Sequence, residues 1–440
     1  MMRSMYAAVS GLRNHQTRMD VIGNNIANVN TTGFKKSRVT FKDAFSQVLK
    51  GASRPEGGLG GTNPMQIGMG MVLGSVDVLH TQGNAQSTGN ITDLCIDGEG
   101  FFIVNSGTGS LYYTRAGAFD FDRQGNFVNP DGLIVQGWYL DEQGNRVGGR
   151  DNNTVNPSAP PSDLALIHQL APPKPTESVV LTGNLHDGTA AEQEFTRSFT
   201  VYDKKGNDYD VEIVFAPKID DDDKAVPNEW KWEIAEPIYN EGEGEDGVEI
   251  SGEIHFHEDG SLKGVSVDAW LEEDLDVTEI PLRFIAEGGG TTTQVFDFSG
   301  ITQYADPRGE SQISVQQDGY TYGNLEELVV DDKGVISASF SNGTSRPLLQ
   351  VALATFGNPA GLIGRGNSLY ALSNNCGEPE IESPGMGRAG AVSPSSLEMS
   401  NVDLSEEFTD MIVTQRGFQA NSRVITASDE MLQELVNMKR

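Results

Sequence analysis

Two apolar repeats of seven stand at opposite ends of this chain, and they constrain its fold more than any other feature. Near the start, Met5, Leu12, Met19 and Ile26 fall seven residues apart, flanked by Met2, Val9 and Ile22. Near the finish, Leu404, Met411, Phe418, Ile425 and Leu432 repeat the interval. That spacing lays side chains along one stripe of an α-helix, the seam through which helices pair. The chain has 440 residues, so it must fold back for the two helices to meet. An apolar stripe at helical spacing is ordinarily a domain's own core. Here polar Gln415, Ser422 and Asp429 interleave with an unbroken run of heptad positions, which favours paired or inter-subunit packing of the ends. These nine residues are the candidate self-assembly site.

Between the repeats the sequence reads as β structure. Gly is abundant, at 51 residues, and fits many turns and short strands better than a helical protein. Alternating runs predict strands at Val72–His80, Leu94–Val104 and Leu111–Thr114, and a hairpin joins Phe119–Asp122 to Asn126–Val128 through Arg123, Gln124 and Gly125. A Pro-rich passage at 151–175 reads as a linker. Beyond it, Phe199–Tyr202 and Tyr209–Phe215 form a hairpin around Lys204–Asn207, followed by strands at Trp230–Ile234, Ile250–His257, Leu262–Val267 and Gln294–Phe298. A third set returns at Leu325–Val330, Val335–Phe340 and Leu349–Phe356, with Asp332-Lys333-Gly334 as a tight turn. A second helix is expected over Val39–Leu49, and Gly-rich hinges over 51–61 and 376–390.

The expected architecture is therefore mixed and mainly β, with terminal helices pairing as a coiled coil and two nested β domains of sandwich or barrel type looped out between them. Its layers are residues 1–30 with 402–440 as the helical pair, 31–70 with 375–401 as an extended linker region, 71–150 with 305–374 as one β domain, and 151–304 as an outer β domain.

Charge and composition narrow the function. The formal net charge is −32, and residues 201–260 hold nineteen Asp/Glu against five Lys/Arg. Such a surface repels phosphates, so nucleic acid is a poor partner, and a solvated outer face is the plain reading. No run of about 18 apolar residues exists to span a membrane, and no cleavable leader is visible after Arg3, since Ser10 and Gly11 interrupt the apolar run. The chain is expected to be cytosolic or to leave the cell without a cleaved leader. Cys95 and Cys376 are the only cysteines; Cys95 lies in an apolar strand-like run and reads as a buried free thiol.

No catalytic or cofactor motif is present: no GxxxxGK[ST], HExxH, GxSxG or CxxC. Gly98-Glu99-Gly100 is half of a dinucleotide fingerprint but leads into the strand-like Phe101–Val104, leaving no helix N-terminus for phosphate. His255 and His257 share a strand face and, with Glu253 or Asp259, are a weak metal candidate. The run Asp220–Asp223 lacks the ligand spacing of a Ca²⁺ loop and reads as solvated. The sequence implies no enzyme, cofactor or metal.

Longer motifs carry a resemblance. Ser10-Gly11-Leu12 and the run Met19-Asp20-Val21-Ile22-Gly23-Asn24-Asn25-Ile26-Ala27-Asn28-Val29-Asn30-Thr31-Thr32-Gly33-Phe34-Lys35 resemble the signature of the flagellar rod and hook proteins. Met399-Ser400-Asn401-Val402-Asp403-Leu404 and Gln415-Arg416-Gly417-Phe418-Gln419-Ala420-Asn421-Ser422-Arg423 resemble the matching end of that family. Gly61–Pro64, Asp93–Phe102, Tyr113–Gly117 and Gln350–Phe356 are similar to its hook members. The likeness is strong over roughly 1–140 and 315–440, while 150–305 fits as a variable outer domain.

The resemblance implies a structural subunit exported through the flagellar type III apparatus and polymerising under a hook cap protein into a short curved tube outside the cell. The distal rod protein lies on one side of that tube and the hook-filament junction protein on the other, and the nine heptad residues would hold the inner tube. Other readings at this stage are a distal rod or hook-like protein, and a secreted adhesin-like β protein. In some members a lysine and a cysteine near the junction of the outer domains are cross-linked; this chain has Lys174 there and no cysteine in that stretch, so the cross-link is not carried over.

Overall fold

The computed structural model describes residues 2–52, 54, 61–107, 109–148, 154–166, 170–189, 193–220, 225–235, 250–266, 278–286 and 290–438. The chain forms two compact units. One comprises Met1–Ile167, Leu328–Ala338 and Arg346–Arg440; the other comprises His168–Glu327 and Ser339–Ser345. The fold is mainly β, with one long helix near each end, α1 (Met2–Ala27) and α2 (Leu404–Asn437), packed against each other in the first unit.

After α1 the chain enters a two-stranded ribbon rather than the second helix expected at Val39–Leu49. Ser37–Asp43 pairs antiparallel with Met71–Val78, and Ser46–Lys50 pairs with Met65–Gly68. The physical reason is local: Val39, Thr40 and Phe41 are β-branched or aromatic, and they find a matching cross-strand row in Leu73–Val76. Of the expected hinge at 51–61, residues 53 and 55–60 lie outside the described residues.

The first unit's main sheet is built on Phe101–Asn105, which pairs with Leu111–Thr114, Ile134–Tyr139 and Leu353–Thr355. Leu94, Ile96, Phe102, Val104, Phe119, Phe127, Val351 and Leu353 pack into one core, and Phe101, Ile103, Tyr113, Phe356 and Tyr370 into a second. The hairpin expected around Gly125 is present, with Phe127 opposite Phe121. Its turn obeys a pattern used again at Asp141. The Asp122 carboxylate accepts from the Gln124 and Asn126 N–H groups and from Asn126 Nδ2, each at 2.8 Å, while Gly125 takes φ 82°.

Two expected linkers turn out to be structured. Within 151–175, Ser162–Asp163 pairs with Ile134–Tyr139 and Leu164 is fully buried; residues 151–153 and 167–169 lie outside the described residues. Over 376–390, Cys376 is buried and Glu380–Glu382 pairs with Leu353–Thr355. Gly and Pro there mark tight turns between short strands rather than a free tether.

The second unit is a sandwich. Five antiparallel strands run in the order Phe195–Tyr202, Asp208–Ile219, Ala225–Ala235, Ile250–Phe256 and Leu262–Val265. Four more run in the order Glu279–Ala286, Gly290–Tyr304, Ser178–His186 and Gln312–Gln317. Burial alternates residue by residue along Ile250–Phe256, as a half-buried strand requires. Both sheets feed one core, where Trp232 meets Phe298 at 5.3 Å between ring centroids.

In the first unit, three remote stretches are tied together at one buried carboxylate. Glu398 is 1% exposed. Its Oε1 accepts from Lys35 Nζ at 2.5 Å and from the Gly83 N–H at 2.8 Å, and its Oε2 from Arg115 Nη1 at 3.4 Å. Lys35 also donates to the Thr81 carbonyl at 2.7 Å, and Arg115 Nη2 to the Gly98 carbonyl at 2.8 Å. The Gly33 N–H donates to the Glu398 carbonyl at 2.8 Å. Gly33 takes φ +67°, and an added Cβ would lie 2.5 Å from the Ala116 nitrogen, so only glycine fits that approach. Burial pulls both Lys35 and Arg115 below their ordinary ranges, and Glu398 opposes that pull.

Removing the charge from Glu398 leaves two buried cations with no counter-ion. Glu398→Gln is therefore expected to destabilise the first unit by about 3–5 kcal/mol, read as the loss in unfolding free energy in denaturant. A loss below about 1 kcal/mol would show that the cations find other partners.

Candidate assembly site at the terminal helices

The helix α2 starts at Asp403, whose Oδ1 accepts from the Ser405 N–H at 2.8 Å and the Glu406 N–H at 3.3 Å. Glu406 and Glu407 in the first turn suit the positive end of the helix dipole. From there α2 runs antiparallel to α1. Gly11 faces Asn421, Arg18 pairs with Asp410 at 2.8 Å, and Asn25 Nδ2 donates to Glu407 Oε2 at 3.2 Å. Two glycines let the backbones approach: a Cβ on Gly11 would lie 2.4 Å from Asn421 Nδ2, and one on Gly417 would lie 2.8 Å from the His15 ring.

The row buried most deeply is not the apolar one. On α2 the buried residues are Glu407, Thr414 and Ser428, with Asn421 half-buried between them, all seven apart. On α1 they are Ala8, Gly11, Ile22 and Asn25. Apart from Ile22, this seam within the chain is polar and small, and the Asn25–Glu407 hydrogen bond crosses it at one register. Burial pushes the Glu407 carboxyl above the usual carboxylate range, against the opposing hydrogen bond from Asn25. Burial, reinforced by Arg18, holds His15 below its ordinary value.

The nine heptad residues flank that seam. Met5, Leu12, Met19, Ile26, Met411, Phe418, Ile425 and Leu432 are half-buried, and Leu404 is 40% exposed. The repeat in hydrophobicity thus marks the border of the pair, while its centre repeats in small and polar residues that a search for apolar stripes passes over. Reading the heptad at the Glu407, Thr414, Asn421, Ser428 offset was the available signal.

Further apolar side chains stand open on the same helices, among them Tyr6 (66% exposed), Ile412 (58%) and Val413 (57%). The ribbon is likewise uncovered, with Phe45 at 79% and Val48, Met65 and Ile67 also exposed. An isolated two-stranded ribbon is marginal by itself. This one is anchored on α1: Asn14 Nδ2 donates to the Met71 carbonyl at 2.8 Å, and Asn25 exchanges two hydrogen bonds with Ser37. Asn25 therefore links α1, the ribbon and α2 through one side chain.

The chemical candidates give no comparable site among the described residues. His255 gathers with Glu253, as the strand spacing suggests, and with Glu229, but His257 does not join them. Lys218 Nζ sits 2.7 Å from Glu253 and 3.0 Å from Glu229, already balancing both carboxylates. Of the Asp220–Asp223 run, residues 221–223 lie outside the described residues. Both cysteines are buried free thiols, and burial pushes Cys95 up to about 11, which keeps it a poor nucleophile. No helix among the described residues is long and apolar enough to cross a membrane.

Comparison with known proteins identifies the family. Four family descriptions match in chain order: Flagella basal body rod protein over residues 5–35, Flagellar hook protein FlgE/F/G D1 domain over 95–166, Flagellar basal body protein FlaE D2 domain over 174–320, and Flagellar basal body rod FlgEFG protein C-terminal over 393–438. The chain is 41% identical to the flagellar hook protein FlgE of Borreliella burgdorferi and 38% to that of Treponema pallidum, covering 100% of each protein in both cases. It is 32% identical to the flagellar basal-body rod protein FlgG of Bacillus subtilis, again covering 100% of both chains. A crystal structure of Helicobacter pylori flagellar hook protein FlgE2 covers 71% of this chain, and all of its own, at TM-score 0.49 and 14% identity. With its terminal helices packed together and its whole length matched to hook proteins, the chain belongs to the flagellar hook and basal-body rod family, as a hook subunit.

Proposed function

We propose that this subunit polymerises through the faces its own helix pair leaves open, and that the resulting tube acts as a flexible joint transmitting torque between rod and filament. The observation that carries this reading is the division of labour in α1 and α2. A polar, small-residue seam holds the two helices in register within one chain, while Ile412, Val413, Tyr6 and the half-buried heptad residues remain for a neighbour. Exposed apolar area on this scale marks an interaction surface. Met5, Leu12, Met19, Ile26, Leu404, Met411, Phe418, Ile425 and Leu432 then complete their burial against adjacent subunits, and the exposed ribbon continues that contact.

On this reading the terminal helices, 1–30 with 402–440, lie innermost, and the outer layer begins after Leu164, which is buried in the core of the first unit. The acidic stretch of the outer layer keeps the polymer solvated. The role is structural and not enzymatic. The resemblance to hook proteins supports, as part of the same proposal, export through the flagellar type III apparatus, polymerisation under a hook cap protein, and junctions with the distal rod protein and the hook-filament junction protein.

Two sets of variants test the division. Ile412→Asp and Val424→Asp place charge on open faces, so each should leave the unfolding free energy of the purified chain within about 0.5 kcal/mol of wild type. In cells lacking the native gene, each should abolish hooks seen by electron microscopy; normal hooks in both variants would overturn the proposal. Gly11→Val acts on the seam itself and should cost about 1–3 kcal/mol through overpacking, with part of the loss recovered when Asn421→Ala is added. Equal stability of Gly11→Val and wild type would show that the helices do not depend on that close approach.

A further inference from the structure

The carboxylate at Glu398 balances Lys35 and Arg115, and one more titratable ring is built into the same joint. His80 follows the ribbon strand Met71–Val78. Its imidazole packs edge-on against Phe101 at 5.5 Å and Tyr370 at 5.3 Å between ring centroids. Its Nδ1 is buried and has no hydrogen-bond partner. Arg115 stacks over the same Phe101 ring, 5.2 Å from its centroid.

The charges acting on His80 are the cations Lys35 and Arg115. The other ionisable groups of the cluster offer no help. Burial pushes the Tyr370 phenol up to about 12 and the Cys95 thiol up to about 11, so both are neutral. Glu99 is exposed and paired with Arg388 at 3.0 Å, and Asp97 accepts from Gln82 Nε2 at 2.9 Å. Glu398 is already shared between two cations and the Gly83 N–H.

We propose that His80 is a proton-operated release for this joint: proton uptake by the ring sets a third buried cation against one carboxylate, and residues 33–36, 79–83 and 396–401 come away from the β fold together. Those three segments are the ones the joint holds, through Lys35 to Thr81, Gly33 and Gly83 to Glu398, and Asn401 to Leu79 and Lys36. The inference stands apart from the assembly reading, because it concerns a contact inside one chain.

The sign follows from the two forms. In the open joint His80 is an ordinary imidazole near 6.5; in the closed joint burial, then Lys35 and Arg115, bring it down to about 4. Opening is therefore unaffected above about pH 7 and grows as pH falls between those values, by about thirty-fold between pH 7.5 and pH 5.

Hydrogen–deuterium exchange on the full-length chain at both pH values, corrected for intrinsic exchange, reads this directly. Peptides covering 33–36, 79–83 and 396–401 should gain about thirty-fold in opening, while the strand Ser178–His186 should not follow. His80→Phe, which keeps an aromatic ring and cannot take up a proton, should reduce the gain several-fold. An equal response in wild type and His80→Phe would overturn the proposal, as would no response in wild type. A measurement free of any variant is the NMR titration of the His80 ring in the native chain: a midpoint near 6.5 overturns the release, and a midpoint near 4 supports it.

Discussion

Glu398 carries more of this architecture than its single charge suggests. One buried carboxylate accepts from a lysine, an arginine and a backbone N–H that belong to three separated stretches of chain. A buried ion cluster of this kind is a weak source of net stability, since desolvation offsets most of the Coulomb gain. What it provides is uniqueness. Any other placement of the segment after α1, or of the segment before α2, leaves a bare charge in an apolar interior. The helices inherit their position from that requirement, because both enter the fold through residues the cluster holds.

The helix pair follows the same logic on a larger scale. Apolar seams are strong but tolerant of slippage by a turn, whereas Asn25–Glu407, Arg18–Asp410 and Gly11 against Asn421 each fit in one register only. Polar contacts inside the chain set alignment, and apolar surface remains outside it. Separating the two tasks lets one monomer have a definite conformation and still present unfinished hydrophobic faces.

Much of this was legible in the sequence. The terminal helices, the β middle and the Gly-containing hairpin turns follow from periodicity and turn chemistry, which are local properties. The helix expected over Val39–Leu49 is absent because its residues answer to two partner strands, from Val48 opposite Gln66 to Val39 opposite Val76, that a local window does not contain. The expected linkers failed for the opposite reason: Pro and Gly were read as freedom, where neighbouring strands made them corners. Within the helices, hydrophobic spacing found the right elements and the right period but the flanking rows. The joint was nearly visible, since Lys35 and Arg115 lie inside signature motifs and Glu398 stands one residue before a third. Nothing in one dimension says that those motifs meet.

The sequence separation of these contacts has a temporal consequence. Lys35 and Glu398 are 363 positions apart, and Arg18 and Asp410 are 392 apart. Closing loops of that size is entropically slow, and no part of the closure can begin until the later partner has emerged. For a chain delivered one end first, the leading helix has no seam to enter and the leading basic segment has no carboxylate to meet. In a chain growing from its N-terminus the ends stay unlocked until Glu398 and Asp410 have been made. The geometry itself works as a timer, set by where along the chain Glu398 was placed.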